Sequence, residues 1–293
     1  MTKVVCVVID GLRQEALQCA HAHCLDNMIS KGTYANTLYH YGPDLTLPAF
    51  ATLFTSMPVS EHGILTNSSA VGLSPHTSSI TSLSRYHNKT TSIFFSKEQI
   101  RSLFPQDSLH TSLFINSGGI KNVDNQLADQ AARHIQKEKP DVCWLYLQGT
   151  DIAGTHFGYL SEPYLESVER ADQSIGLLME QMAVVGLQNE YVLMVLASHS
   201  GSWNHQSTFM PSNEPLPWIV CGPGIAEGCC IERKLSLMDL TPTLAQILGF
   251  ESHPCWQGRI VQELFSSQDE EVNRQEKRGH VHLFTQRKIP TAA

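Results

Sequence analysis

The chain reads as an α/β sandwich: a mostly parallel central sheet flanked by helices. Three observations predict it. Short, β-branched apolar runs alternate with stretches of helical periodicity along the chain. The first run, Val4-Val5-Cys6-Val7-Val8-Ile9, has no polar alternation, as expected of a strand buried on both faces. Polar residues suited to chemistry then cluster just past the ends of three such runs, where open α/β sheets carry their sites.

Taken in order, residues 4–9 form a strand that Asp10-Gly11 ends, and a helix is expected over 13–29. Residues 33–41 read as a second strand. Thr46-Leu47-Pro48 opens a helix continuing to 54, with Thr46 near the N-cap and Pro48 in the first turn. The Ser-, Thr-, Gly- and Asn-rich stretch 66–79 is a loop. A strand follows at 91–95, then a helix at 123–137 with Leu127, Ala131 and Ile135 on one face. Residues 142–147 are another buried strand and 162–182 the longest helical pattern. Strands at 191–196 and 216–220 complete the sheet. A short helix at 240–248 stops at Gly249. Residues 1–265 are expected as one domain, with the polar stretch 266–293 as a C-terminal appendage.

The 293 residues are 42% hydrophobic and 16% charged, enough to bury a core. With 20 Lys plus Arg against 28 Asp plus Glu, the formal net charge is −8. That disfavours a nucleic-acid polymer or an anionic membrane as partner, because both select a basic face. No apolar run reaches the roughly 18 residues a bilayer span needs. The first apolar run is too short for a signal-peptide core. The eight cysteines show no zinc-finger spacing and read as reduced thiols. The cytoplasm is the expected compartment.

Three strand ends carry candidates: Asp10, then Asp151 with His156, then His199 with His205. Each has a plain alternative. An Asp after a first strand commonly caps the next helix, and single loop histidines are ordinary. Thr46 could serve only as an N-cap hydroxyl. Their coincidence at strand ends favours a site.

The motifs, in order, are Val7-Val8-Ile9-Asp10-Gly11-Leu12; Thr46-Leu47-Pro48-Ala49-Phe50 with Glu61-His62-Gly63; Asp151-Ile152-Ala153-Gly154-Thr155-His156; and Ser198-His199-Ser200-Gly201 with His205. Asp239-Leu240-Thr241-Pro242-Thr243 closes the set. In this order they resemble the alkaline phosphatase superfamily, in particular its type I phosphodiesterase/nucleotide pyrophosphatase branch, over residues 3–265. The resemblance implies an alkaline-phosphatase-like sandwich and a metal-dependent hydrolase of small phosphorylated substrates. One or two divalent ions are implied, zinc first, with manganese or magnesium as alternatives.

Carried over by position, Thr46 is the nucleophile. Asp10 and Thr46 belong to the first metal's ligands, Asp151 to the second's, and His205 stands at the late His. Asn67 falls where that branch contacts phosphate. Metal coordination would make a Thr alkoxide accessible at neutral pH, and a helix N-terminus behind it would favour negative charge.

Two departures stand out. The family reads Ser-Asp-His-Gly where this chain has Ser198-His199-Ser200-Gly201, which leaves His199 as a nitrogen ligand in a carboxylate's place. Thr155 holds the position four after Asp151 where the family has His, and His156, one place later, could substitute if the loop shifts. A degenerate member that binds a phosphorylated ligand or a partner without turnover is the alternative. Thr46 and Phe50 break the sulfatase signature, and no glycine-rich loop follows Ile9.

Overall fold

Strand β1 (Lys3–Ile9) is buried from Val4 onward and lies inside the sheet. It pairs in parallel with β5 (Val142–Leu147) on one side and β6 (Tyr191–Ala197) on the other, so that Val4 sits beside both Val142 and Val192. In the computed structural model the described residues are 2–265, apart from 69, 71, 75, 76, 106, 119–121 and 202–213. The expected appendage at 266–293 lies outside them.

The remaining elements follow along the chain. Helices α1 (Ala16–Cys19) and α2 (His23–Lys31) lead to β2 (Thr33–Tyr39). Then come α3 (Thr46–Thr55), α4 (Val59–His62), α5 (Ile80–Tyr86), β3 (Thr91–Phe95) and β4 (Thr111–Phe114). Helix α6 (Val123–Glu138) precedes β5, while α7 (Gly149–Phe157) and α8 (Glu162–Val184) follow it. After β6 come β7 (Leu216–Cys221), β8 (Cys229–Ile231), β9 (Leu235–Ser236) and α9 (Leu240–Leu248). The sheet order is β4-β3-β5-β1-β6-β7-β2-β8, with β9 beside β2. Only the β6–β7 and β7–β2 pairings are antiparallel. The mixed, mostly parallel sandwich is the architecture expected from the alternation.

Helices cover both faces. Register places Ser92 and Phe94 of β3 beside Cys143 and Leu145, and α6 packs there through His134, which meets Ser92 and the Phe94 ring. The opposite face of β5 presents Trp144 and Tyr146 to α3. Phe54 stacks edge-on with Trp144 at 4.9 Å, and Phe50 with Tyr146 at 5.5 Å between ring centroids. All ten residues of α3 are buried. Each buried Phe contributes about 1.5–3 kcal/mol from its apolar area. This packing holds the N-terminus of α3 over the carboxyl end of β1.

Strands β4, β8 and β9 and helices α4 and α5 are not among the elements expected from the sequence, and two further differences bear on the site. The helix expected at 13–29 is broken, because Ala20 is extended at φ −81°, ψ 155°. The Asp172 carboxylate on α8 accepts from the amides of Cys24 (3.1 Å) and Leu25 (2.7 Å), giving α2 its own start. A tertiary partner thus satisfies helix-end donors that local sequence does not. The second is α7. The stretch carrying Asp151 is a helix, because the Asp124 carboxylate accepts from Gln148 N at 3.0 Å and Gly149 N at 2.8 Å.

Candidate active site

Asp10 leaves the end of β1 fully buried. Its next residue, Gly11, has φ +67°, and a Cβ there would lie 3.0 Å from the Asp151 backbone. Only glycine lets β1 turn this close to α7. Around the Asp10 carboxylate, Oδ2 accepts from Thr46 Oγ1 at 3.0 Å, from Lys97 Nζ at 3.2 Å and from the Tyr146 hydroxyl. Oδ1 accepts from Ser198 Oγ and faces His199 Nδ1 at 3.0 Å. The helix-capping alternative for Asp10 does not describe these partners.

Thr46 is the first residue of α3, while Leu45 is its N-cap and provides no side-chain cap. The hydroxyl therefore serves Asp10 and receives a hydrogen bond from Lys97 Nζ, instead of capping its own helix. Asn67 reaches the same helix end: its Oδ1 accepts from the Leu47 amide at 2.9 Å.

Asp151 and His199 complete the cluster. His199 Nε2 lies 3.4 Å from Asp151 Oδ1, and Lys97 Nζ lies 3.9 Å from Asp151 Oδ2. Tyr159 donates to Asp151 Oδ1 at 2.8 Å, and its hydroxyl is 3.5 Å from Thr155 Oγ1. Thr155, one helical turn after Asp151, shares its face. His156 is one residue further round α7, exposed and edge-on to Phe157. It stands apart from the cluster. Ser200 directs its amide (3.1 Å) and hydroxyl (3.4 Å) to Asp44. His205 lies outside the described residues.

Two carboxylates here meet the Lys97 ammonium and the His199 ring. Burial alone would raise Asp10, but the charges of Lys97 and His199, with hydrogen bonds from His199 and Ser198, hold it well below the usual carboxylate range. Burial alone would discharge His199, yet Asp10 and Asp151 on its two ring nitrogens outweigh this and raise it well above an ordinary histidine. Burial, then the Asp10 and Asp151 charges, keep the Tyr146 phenol protonated as a donor.

Among the described residues, Asp10, Asp151 and His199 bring one ligand atom each within 4.8 Å of one another, a spacing that one ion could bridge. Among the described residues the donor chemistry does not fit a two-metal centre. Both His199 nitrogens point at carboxylates, so neither offers a lone pair. Ser200 is turned to Asp44, the phenol of Tyr159 lies between Asp151 and Thr155, and the Lys97 ammonium lies between Asp10 and Thr46.

Lys97, Tyr146 and Tyr159 were not among the sequence candidates. Lys97 lies two residues past β3, so the strand-end rule that selected Asp10 would have reached it. Tyr146 carried a weaker signal, one hydroxyl in an otherwise apolar strand. Tyr159 follows Gly158 beyond α7 and had none.

A buried Asp at the first strand's end, a hydroxyl at a helix start beside it and a second Asp after a neighbouring parallel strand define a member of the alkaline phosphatase superfamily. The model of the type I phosphodiesterase / nucleotide pyrophosphatase family matches residues 4–100 and 75–217, and the chain belongs to that family. Venom phosphodiesterase of Naja atra is 36% identical over 62 residues, 21% of this chain and 8% of that protein. An endo-4-O-sulfatase of Bacteroides thetaiotaomicron is 29% identical over 119 residues, 38% of this chain and 23% of its own length. The chain thus matches less than a quarter of the length of either curated relative.

Among solved structures, an inactive variant of murine ectonucleotide pyrophosphatase / phosphodiesterase 5 in complex with AMP superposes with a TM-score of 0.76. Identity is 13%, with 91% of this chain and all of that one covered. A phosphonate monoester hydrolase of Silicibacter pomeroyi gives 0.68 at 13% identity, covering 92% and 78%. These likenesses establish the fold.

Proposed function

We propose that the chain hydrolyses phosphoric esters of small molecules, of the phosphodiester or pyrophosphate type, with Thr46 as nucleophile. The observation that carries this reading is the Thr46 hydroxyl. It lies at the start of a buried helix, donates to Asp10 and accepts from Lys97. Asp10 orients one lone pair of Oγ1 outward, and the ammonium favours negative charge on that oxygen. The first turn of α3 favours the incoming phosphate.

In the first step Oγ1 attacks phosphorus and the bond to the leaving oxygen breaks. Phosphoryl transfer proceeds through a loose transition state, so the Thr46 proton can pass late to Asp10 Oδ2, the acceptor it already faces. The leaving oxygen departs as an alkoxide or phenolate and takes its proton from water. A water molecule then attacks the phosphorus of this threonine phosphodiester, the phosphomonoester leaves, and Asp10 returns the proton to Thr46. Zinc, manganese or magnesium at Asp10, Asp151 and His199 would add Lewis-acid polarisation, but would have to displace the proton of His199 and the Lys97 ammonium.

Hydrolysis of bis-p-nitrophenyl phosphate tests the assignment. Thr46→Ala abolishes turnover with an unchanged circular dichroism spectrum, since no helix cap is lost, and Thr46→Ser keeps part of it. Full activity in the alanine variant sinks the assignment.

A further inference from the structure

The Lys97 side chain is 12% exposed and leaves the turn after β3 to enter the cluster from the side opposite His199. Its ammonium has three donors, and three acceptors surround it. Two are hydrogen-bonded, Asp10 Oδ2 at 3.2 Å and Thr46 Oγ1; the third, Asp151 Oδ2, forms a longer ion pair at 3.9 Å. These are the atoms a cation bridging the nucleophile and the two carboxylates would touch. The phenol of Tyr159 occupies the other gap, between Asp151 and Thr155. Among the described residues, a side-chain donor therefore occupies both gaps beside Asp151.

We propose that Lys97 supplies the positive charge beside the nucleophile in this chain, in place of a divalent ion, and that the site works as a metal-independent one. The inference rests on the reading of Thr46 as nucleophile, and goes beyond it by assigning the charge. The Lys97 ammonium already lies against Thr46 Oγ1 and both carboxylates, whose other oxygens face the two ring nitrogens of His199. A divalent ion touching the same oxygens would set its charge against that ammonium in a buried site unless the Lys97 side chain withdrew. The unusual residues at 199 and 200 then have a common reason. His199 sets its two ring nitrogens against the Asp10 and Asp151 carboxylates where the family has a carboxylate of its own, and Ser200 is released from ligation to bond Asp44.

Calorimetric titration of zinc chloride into the full chain, dialysed against chelator, tests this apart from activity. Lys97→Met keeps the length and removes the charge; it should bind one zinc at least roughly tenfold more tightly than wild type, about 1.4 kcal/mol. Lys97→Arg should bind no more tightly than wild type. Submicromolar, stoichiometric zinc binding by wild type overturns the proposal, as does equal affinity in wild type and Lys97→Met. If Lys97→Met does not fold, the wild-type isotherm decides, with absent or weak uptake supporting the proposal. A parallel assay of bis-p-nitrophenyl phosphate hydrolysis in excess chelator separates the two readings. Turnover retained in chelator supports both. Turnover that appears only with zinc overturns the role of Lys97 and leaves Thr46 in place. No turnover under either condition, with zinc affinity gained in Lys97→Met, overturns the hydrolase reading alone.

Discussion

Asn67 Oδ1 holds the amide of Leu47 at 2.9 Å, one residue beyond the proposed nucleophile. The carbonyl end of the carboxamide thus satisfies a first-turn donor of α3, and its amino end is the one left to meet an anion. Asn67→Ala removes both functions. Binding of inorganic phosphate, followed by calorimetry, should weaken roughly tenfold, the worth of one hydrogen bond to a charged group. An unchanged affinity would restrict Asn67 to holding the helix.

Replacing His199 by Asp together with Ser200 by His restores the family's pair. It also sets a third carboxylate against Asp10 and Asp151 and removes the ring that faces both. The metal-free double variant should melt below wild type and gain zinc affinity. At a zinc concentration about 100 times its Kd, its Tm should rise roughly 5–10 °C. Wild-type Tm should stay within about 1 °C under the same conditions. A double variant that ignores zinc shows that these two positions are not ligand positions.

Two further histidines govern acid stability. His40 Nε2 (3.3 Å) and His62 Nε2 (3.0 Å) share the Thr52 hydroxyl. Burial, helped by the neighbouring His62 and His199, lowers His40 to about 3, and burial lowers His62 to about 4. Both are near 6.5 in the unfolded chain. Above that pH neither form carries these protons and the folded state is at full strength. Below it the unfolded chain binds two protons that the folded chain refuses. Stability is therefore lost as pH falls from about 6.5 toward 4, by up to about 1.4 kcal/mol per pH unit per histidine. Urea midpoints at about pH 7.5, 6 and 5 should fall in that order; a flat series contradicts the buried neutral pair.

Asp124 anchors the start of the helix that carries Asp151. Burial raises its pKa, although two backbone amides pull it back. Asp124→Ala leaves the Gln148 and Gly149 amides without their acceptor, at a cost of about 1–3 kcal/mol. Because Asp151 lies two residues further on, turnover should fall as well. Urea unfolding beside the phosphodiester assay checks both, whereas Asp124→Asn should keep one of the two hydrogen bonds and lie between.

How much of this was legible in the sequence depended on where each signal lies. The strands at 91–95 and 142–147 and the helix at 240–248 matched to the residue, because unbroken apolar runs and a Gly249 stop are local properties. Asp10, Thr46, Asp151 and His199 were legible as strand-end and helix-start residues, and the fold brings all four together. The break at Ala20 was not, because Asp172 acts on the α2 amides from about 150 residues away. The same holds for α7, started by Asp124, a residue of a different helix. Tyr146 was hidden by its strand: period and apolarity show that a residue is buried, never what its hydroxyl meets across the sheet.

The wedge formed by Tyr159 constrains the order in which this site can change over generations. Its ring lies where a Cβ on Gly154 or Gly201 would overlap it, and Gly201 is also left-handed at φ +69°. A lineage that exchanged Thr155 for histidine while the phenol remained would meet a blocked space and gain no ligand. One that trimmed Tyr159 first would leave Asp151 without its donor and gain nothing in return. Each single step is a loss, and only the pair together opens a path. The glycines and the tyrosine thus act as a ratchet: with the ring seated against Gly154 and Gly201, a histidine at 155 becomes a ligand only if Tyr159 is exchanged at the same time.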